Sequence, residues 1–149
     1  MKIINLTKGF STIVDNEDFE FLSQWKWHYR KCDKSGYAVR VPYKQMAIYM
    51  HRFITNSPER MEVDHINGNS LDNRKLNLRI CTRQQNMQNS KVKTGSKSIY
   101  KGVNPQGKKW MAIIQRKYLG TFNSEIEAAK EYNKEAIKRY GQFAKLNII

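Results

Sequence analysis

Three side chains within one short stretch have the chemistry to hydrolyse a phosphodiester. They are Asp64, His65 and Asn86, in the run Val63-Asp-His-Ile-Asn-Gly-Asn-Ser-Leu-Asp-Asn-Arg-Lys-Leu-Asn-Leu-Arg-Ile-Cys-Thr-Arg-Gln-Gln-Asn86. A carboxylate and an amide carbonyl are the hard oxygen donors that a magnesium-type cation takes. An imidazole, with an unperturbed pKa near ~6.5, accepts a proton from water at neutral pH. One divalent ion, Mg2+ or Mn2+, and one activated water meet the needs of the reaction: an in-line nucleophile, charge neutralisation and a stabilised leaving oxygen. Neighbours on a regular strand point to opposite faces. Asp64 and His65 therefore serve one site only if the strand bends there or the phosphate sits over its end, and the turn-rich residues after Ile66 allow this.

Such a set needs a short turn and one helix to hold it. Val63–Ile66 reads as a short strand, residues 67–73 as a turn-rich loop and Leu76–Ile80 as the returning strand. Thr82-x-x-Gln85 is a capping-box pattern, so a helix is predicted to start at Arg83 and to carry Asn86 about one turn in. Arg83 then stands at a helix N-terminus, where a guanidinium can clamp phosphate in bidentate fashion. Upstream, residues 11–14, 25–30, 37–41 and 46–50 are short, β-branched or aromatic-rich segments that predict strands. Asp33-Lys-Ser-Gly36 reads as a hairpin turn, and residues 17–23 as a single helical turn. Trp25 and Trp27, two apart, share a strand face and are assigned to the core. His28 and His51 are assigned structural roles, with a second active-site histidine as the competing reading for His51.

The charge names the partner class. The 149 residues carry a net charge of +14, with a pI near 9.9, which favours a polyanion. Residues 1–90 have a net charge of +5 and residues 91–149 one of +9; residues 91–123 hold eight Lys/Arg and no acid. No apolar run approaches the ~18 residues of a membrane span. The first residues are too short and polar for a secretory signal. Two cysteines, Cys32 and Cys81, make neither a zinc spacing nor a disulfide framework, which fits a reducing cytoplasm. An α+β chain of two small domains is expected: residues 1–90, a linker at 91–98 of Lys/Ser/Gly composition, and residues 99–149.

The last domain has its own pattern. Ile99–Asn104, Trp110–Gln115 and Tyr118–Thr121 predict three strands, with turns at Gln106-Gly107 and near Arg116-Lys117. Ser124-x-x-Glu127 is a second capping box. Ile126, Ala129, Tyr132, Ala136, Ile137 and Tyr140 follow at helical spacing, and Gly141 is a natural stop. Phe143 and Leu146 are expected to fold back onto the core. Trp110, Ala112 and Ile114 should face the helix, and Met111, Ile113 and Gln115 the other side.

The ordered set Asp64-His65, Asn77, Asn86, with His51-Arg-Phe-Ile and Asp72-Asn-Arg-Lys-Leu-Asn-Leu-Arg79 around it, resembles the HNH endonuclease family and its ββα-metal active site. The resemblance covers roughly residues 5–90. It implies Asp64 and Asn86 as metal ligands, His65 as general base, and Asn77 as the residue that ties the loop together and orients the imidazole. Asparagine in place of histidine at the last position matches the variant of phage homing endonucleases. Tyr100-Lys-Gly-Val103, Lys109-Trp-Met-Ala-Ile-Ile114, Tyr118-Leu-Gly-Thr-Phe122 and Gly141-Gln-Phe-Ala-Lys-Leu-Asn147 resemble the APETALA/ethylene-response-factor DNA-binding domain. That resemblance implies a three-stranded sheet packed on one helix, with Lys101, Lys109, Gln115, Arg116 and Tyr118 contacting DNA. The plant pattern has more arginines on this face, whereas two of the outward positions here are Met111 and Ile113, so the plant target sequence does not transfer.

Together these residues predict a metal-dependent endonuclease of double-stranded DNA with a tethered recognition domain. It would be of the phage or mobile-element homing type, acting in the host cytoplasm, and a single site would most simply nick. Two other readings stand beside it: a DNA-binding regulator whose nuclease half has lost catalysis, and an RNA-binding protein, which rests on charge alone and lacks an aromatic platform motif.

Overall fold

The first hairpin follows from a short alternation of side chains. β1 (Lys2–Asn5) and β2 (Ser11–Val14) pair antiparallel, with Lys2 opposite Val14. The computed structural model describes all residues except 33, 34, 91, 93 and 94. α1 (Asn16–Leu22) comes next and is two turns long, not one, with Glu17 and Asp18 in its first turn, where the helix dipole favours acids. β3 (His28–Cys32), β4 (Ser35–Arg40) and β5 (Ile48–Tyr49) form an antiparallel sheet in that order. α2 (Met50–Thr55) leads directly out of β5 and stops at Asn56, whose left-handed conformation (φ 46°, ψ 44°) closes the helix. β6 (Glu62–His65) and β7 (Leu78–Cys81) pair antiparallel, and α3 (Arg83–Gln88) follows. Gln85 N–H donates to Thr82 Oγ1 (3.2 Å) and Thr82 N–H to Gln85 Oε1 (2.8 Å), so the capping box forms as the sequence predicts.

The chain separates into two compact units, Met1–Asn86 and Met87–Ile149. The first is built on Ile4, Leu6, Val14, Leu22, Trp27, Ala38 and Met50. Several expected boundaries shift here. The strand expected from Trp25 starts only at His28, because the Trp27 indole N–H donates to the Leu22 carbonyl (2.9 Å) and ties that segment to the end of α1. The segment 46–50 shrinks to two strand residues, and Met50 opens α2, a helix with no side-chain cap to announce it. Residues 75–77 form a 3-10 turn, which leaves Leu76 exposed before β7. The predicted Asp33–Gly36 turn and the predicted 91–98 linker fall partly outside the described residues; Ser35 and Gly36 already belong to β4.

In the second unit, β8 (Val103–Gln106), β9 (Lys109–Ile114) and β10 (Lys117–Phe122) form an antiparallel sheet with β9 in the centre. It packs on α4 (Glu125–Tyr140), whose Ser124–Glu127 capping box is complete. Ala112 and Ile114 are buried with Val103, Ala128, Ala129, Tyr132 and Ala136, and Trp110 packs at the edge of this core, as the alternation predicts. Ile126 and Ile137 do not join it. Both are exposed, and Ala128 takes the inward position. The β9–β10 turn is Gln115-Arg116, one residue earlier than expected, and both residues have positive φ, the geometry that a two-residue hairpin requires. Leu146 stays exposed; the tail is held instead by Asn147, whose side chain bonds both the N–H and the carbonyl of Lys101. The chain as a whole is α+β, and among the described residues no helix is long and apolar enough to cross a membrane.

Candidate active site

The β6–β7 hairpin sets the positions of the chemistry-bearing residues. Asp64 lies directly opposite Arg79, and His65 opposite Leu78. Both Asp64 and His65 are buried. His65 is the last residue of β6, and the chain turns immediately after it: Ile66 N–H donates to Asn77 O (2.9 Å) and Gly68 N–H to His65 O (2.7 Å). Asn77 closes the loop from the far side, accepting from Asn67 N–H at Oδ1 (3.0 Å) and donating through Nδ2 to Asp72 O (2.8 Å). Asp72 in turn takes two bonds from Arg74, which hold its carboxyl below the usual carboxylate range.

The residue set against the imidazole is Asn73, not Asn77. His65 Nε2 lies 3.2 Å from Asn73 Oδ1. β2 holds Asn73 there. Asn73 N–H donates to Ile13 O, and Ile13 N–H donates to Leu71 O. The Thr12 hydroxyl donates to Leu71 O (2.7 Å), and Asn73 Nδ2 donates to that hydroxyl (2.7 Å). This relay fixes the tautomer. A backbone carbonyl only accepts, so the Thr12 proton goes to Leu71 and the Thr12 oxygen can only accept from Asn73. The Asn73 amide must then turn its carbonyl to His65. Nε2 carries the proton, and the lone pair of the neutral ring is on Nδ1. Thr12 and Asn73 are both 0 % exposed, so water does not compete for these bonds. Sequence reading passed over Asn73 because it sits in an Asn-rich turn; pairing β2 with the loop is what singles it out.

His65 sits in an aromatic nest. His51 from α2 meets it edge-on (ring centroids 5.2 Å), and Tyr37 lies close to both rings. Burial lowers the His65 pKa, against the opposing pull of Asn73, Asp64 and Asp72, so the neutral, proton-accepting ring dominates at neutral pH. His51 is lowered further, to about 3, by burial first and then by the His65 and Arg52 charges. The unfolded chain protonates His51 below pH ~6.5 and the folded chain does not, so stability is full above that pH and falls as pH drops toward 3. His51→Gln should remove about 2 kcal/mol of the stability difference between pH 7 and pH 5, read from denaturant unfolding at the two values. An unchanged difference would show that His51 is protonated in the folded state.

The oxygen donors lie on the hairpin and α3. Asp64 Oδ2 receives both Nε (2.9 Å) and Nη2 (2.6 Å) of Arg79. Asn86 Nδ2 donates to Glu62 Oε2 (2.7 Å), leaving its carbonyl as the amide's remaining polar atom. Glu62 and Asp64, two apart on β6, share a strand face. The Asp64 carboxylate and the Asn86 carbonyl are hard oxygens and fit a magnesium-type ion. Among the described residues there is no group of three or more His, Cys, Asp or Glu able to hold a metal. The protein would therefore supply a minority of the ligands, with water and substrate oxygens completing the shell. Arg79 and Glu62 were not singled out from sequence, although drawing the hairpin register would have set Arg79 opposite Asp64.

Arg83 is exposed at the first position of α3. In the second unit Lys109, Gln115, Arg116 and Tyr118 are all exposed, and the Tyr118 hydroxyl bonds Thr121 (2.8 Å). Lys101 departs from the expected DNA-facing set. Its ammonium donates to the backbone carbonyls of Gln88 (2.6 Å) and Ser90 (2.8 Å), and burial, then the Lys145 charge, lower its pKa to about 8. Lys101 is a cap for those carbonyls.

Residues 49–88 match the family described as HNH endonuclease, a span that runs from β5 to the end of α3. Over 150 aligned positions the chain is 31% identical to a protein of Acanthamoeba polyphaga mimivirus named as an uncharacterized HNH endonuclease; the alignment covers 95% of this chain and 77% of that protein. No solved structure matches the chain.

Proposed function

Since the chain belongs to the HNH endonuclease family and is a DNA endonuclease, a hydrolase of phosphodiester bonds, we propose that His65 is its general base and that Asp64 and Asn86 hold one divalent cation. HNH nucleases generally use such an ion. The observation that carries the reading is the relay from Leu71 through Thr12 and Asn73 to His65, which leaves the basic lone pair on Nδ1 of a neutral ring. His65 Nδ1 takes a proton from the attacking water as the phosphorus–oxygen bond in line with that water breaks. Because His65 ends β6, a phosphate lying over the strand end lets Asp64 and His65 act on one centre although their side chains leave opposite faces. When bound, Mg2+ or Mn2+ would neutralise charge on the phosphate and the leaving oxygen. Asn77 keeps the loop closed and acts on the imidazole only through that loop. Arg83, exposed at the start of α3, is a phosphate clamp.

The second unit, by its resemblance to the APETALA/ethylene-response-factor domain, binds double-stranded DNA through Lys109, Gln115, Arg116 and Tyr118. Charge placement supports this: the four acids of residues 91–149 all lie on α4, and residues 91–123 carry bases only. Two tethered binders raise each other's effective concentration on one duplex. This suits site-directed cutting of the homing type.

One site in a monomer cuts one strand. Supercoiled plasmid incubated with Mg2+ or Mn2+ should pass to open circles before any linear form appears, and EDTA should stop the reaction. Direct conversion to linear DNA would refute nicking. No scission at any sequence, with binding retained, would favour a regulator without catalysis. Asn73→Ala should slow cutting by on the order of 10²-fold through imidazole misplacement, while leaving DNA affinity as it is. An unchanged single-turnover rate would remove Asn73 from the mechanism.

A further inference from the structure

Asp64 has two claimants. As read above, its carboxylate takes the divalent cation; in the fold, the same carboxylate takes the Arg79 guanidinium through two nitrogens on Oδ2. The pair is not a surface ornament. The Asp64 side chain is 6% exposed and that of Arg79 13%. The hairpin register also sets the two residues directly across from each other, so the contact does not depend on a mobile loop. We propose that Arg79 is a positioning residue that fixes the Asp64 carboxylate and sets its cation affinity, holding that affinity down. This inference rests on Asp64 being a metal ligand.

Two effects of Arg79 oppose each other. Its fork orders the carboxylate, which favours any ligand bound to it. Its charge repels a doubly charged ion brought to the same carboxylate, and it does so where little water screens the repulsion. The ordering benefit concerns a short side chain that is already buried. The repulsion acts between a full charge and a double charge that would share one carboxylate. Repulsion is the larger effect. Arg79 thus makes the site responsive to high cation concentrations and reluctant to hold an ion at low ones.

The test is Mn2+ binding without DNA, followed by electron paramagnetic resonance or calorimetry, together with the melting-temperature shift that Mn2+ produces. Arg79→Gln should bind Mn2+ about tenfold more tightly than wild type, and Mn2+ should raise its melting temperature by more. Arg79→Lys keeps the charge without the fork and should bind Mn2+ no more tightly than wild type; tighter binding by Arg79→Lys would overturn the role given to the charge. Equal or weaker binding by Arg79→Gln overturns the proposal. If Arg79→Gln does not fold without the ion, Arg79→Met, neutral and of similar length, decides: binding tighter than wild type supports the proposal, and equal or weaker binding overturns it. Asp64→Asn separates this inference from the reading beneath it. If Asp64→Asn binds Mn2+ as wild type does, the metal assignment itself fails. If Asp64→Asn loses binding while Arg79→Gln matches wild type, only the role of Arg79 fails.

Discussion

His65→Ala should reduce the single-turnover rate of DNA cutting by about 10²–10⁴-fold while DNA affinity stays within a few-fold of wild type. The separation of the two readouts follows from where His65 sits. It is buried at the end of β6, facing Asn73 and His51, and is not part of the exposed basic surface. Removing it takes away the proposed proton acceptor but leaves Arg83 and the second unit in place. It also leaves the Asn73 carbonyl without its imidazole partner, at a cost of about 1–3 kcal/mol in stability. Rates are therefore to be compared well below the melting temperature, with far-ultraviolet circular dichroism confirming the fold. The missing ring leaves a cavity next to Asn73, so added imidazole should restore part of the rate. An undiminished rate, or equal loss of binding and cutting, would end the assignment of His65 as the base.

Trp27→Ala should destabilise the first unit by about 3–5 kcal/mol. Trp27 is 1% exposed and packs with Leu22, Val14 and Met50 in the core that supports both β2 and α2. Its indole N–H also satisfies the Leu22 carbonyl at the end of α1. The substitution opens a large apolar cavity and leaves that carbonyl short of a donor. β2 carries Thr12 and α2 carries His51, so the loss reaches the imidazole from two sides. Trp25→Ala is the control. Trp25 is only half-buried, beneath the Arg40 guanidinium (4.2 Å from the ring centroid) and edge-on to Phe53, and its removal should cost well under half as much. Denaturant midpoints for the two variants measure this directly. Equal midpoints would mean that Trp27 is not the keystone of that core.

Much of the candidate site was legible because its information is local. Asp64, His65 and Asn86 were identified by residue type and spacing, and the Thr82–Gln85 capping box located α3 without any knowledge of the rest of the chain. The helix of the second unit was equally readable, since the Ser124–Glu127 box and helical spacing both act within a few turns. Local rules failed where a long-range bond overrode them. The strand expected from Trp25 yielded to one indole bond to α1. Helical spacing alone could not separate Ala128, which faces the sheet, from Ile126 and Ile137, which do not.

The sequence by itself determined the chemistry on offer: an acid, an imidazole and an amide at spacings that a hairpin and a helix bring into one region, in a chain of +14 charge. Tertiary structure alone decided how those groups are tuned. The partner of His65 comes from a loop pinned to β2, with the Asn73–Thr12 bond spanning 61 positions of sequence. The partner of Asp64 comes from the facing strand, and Lys101 was turned from the DNA-facing set to backbone carbonyls. The reason is physical. A residue's type sets which bonds it can make, but burial and register set which of them it does make, and both depend on the whole chain having folded.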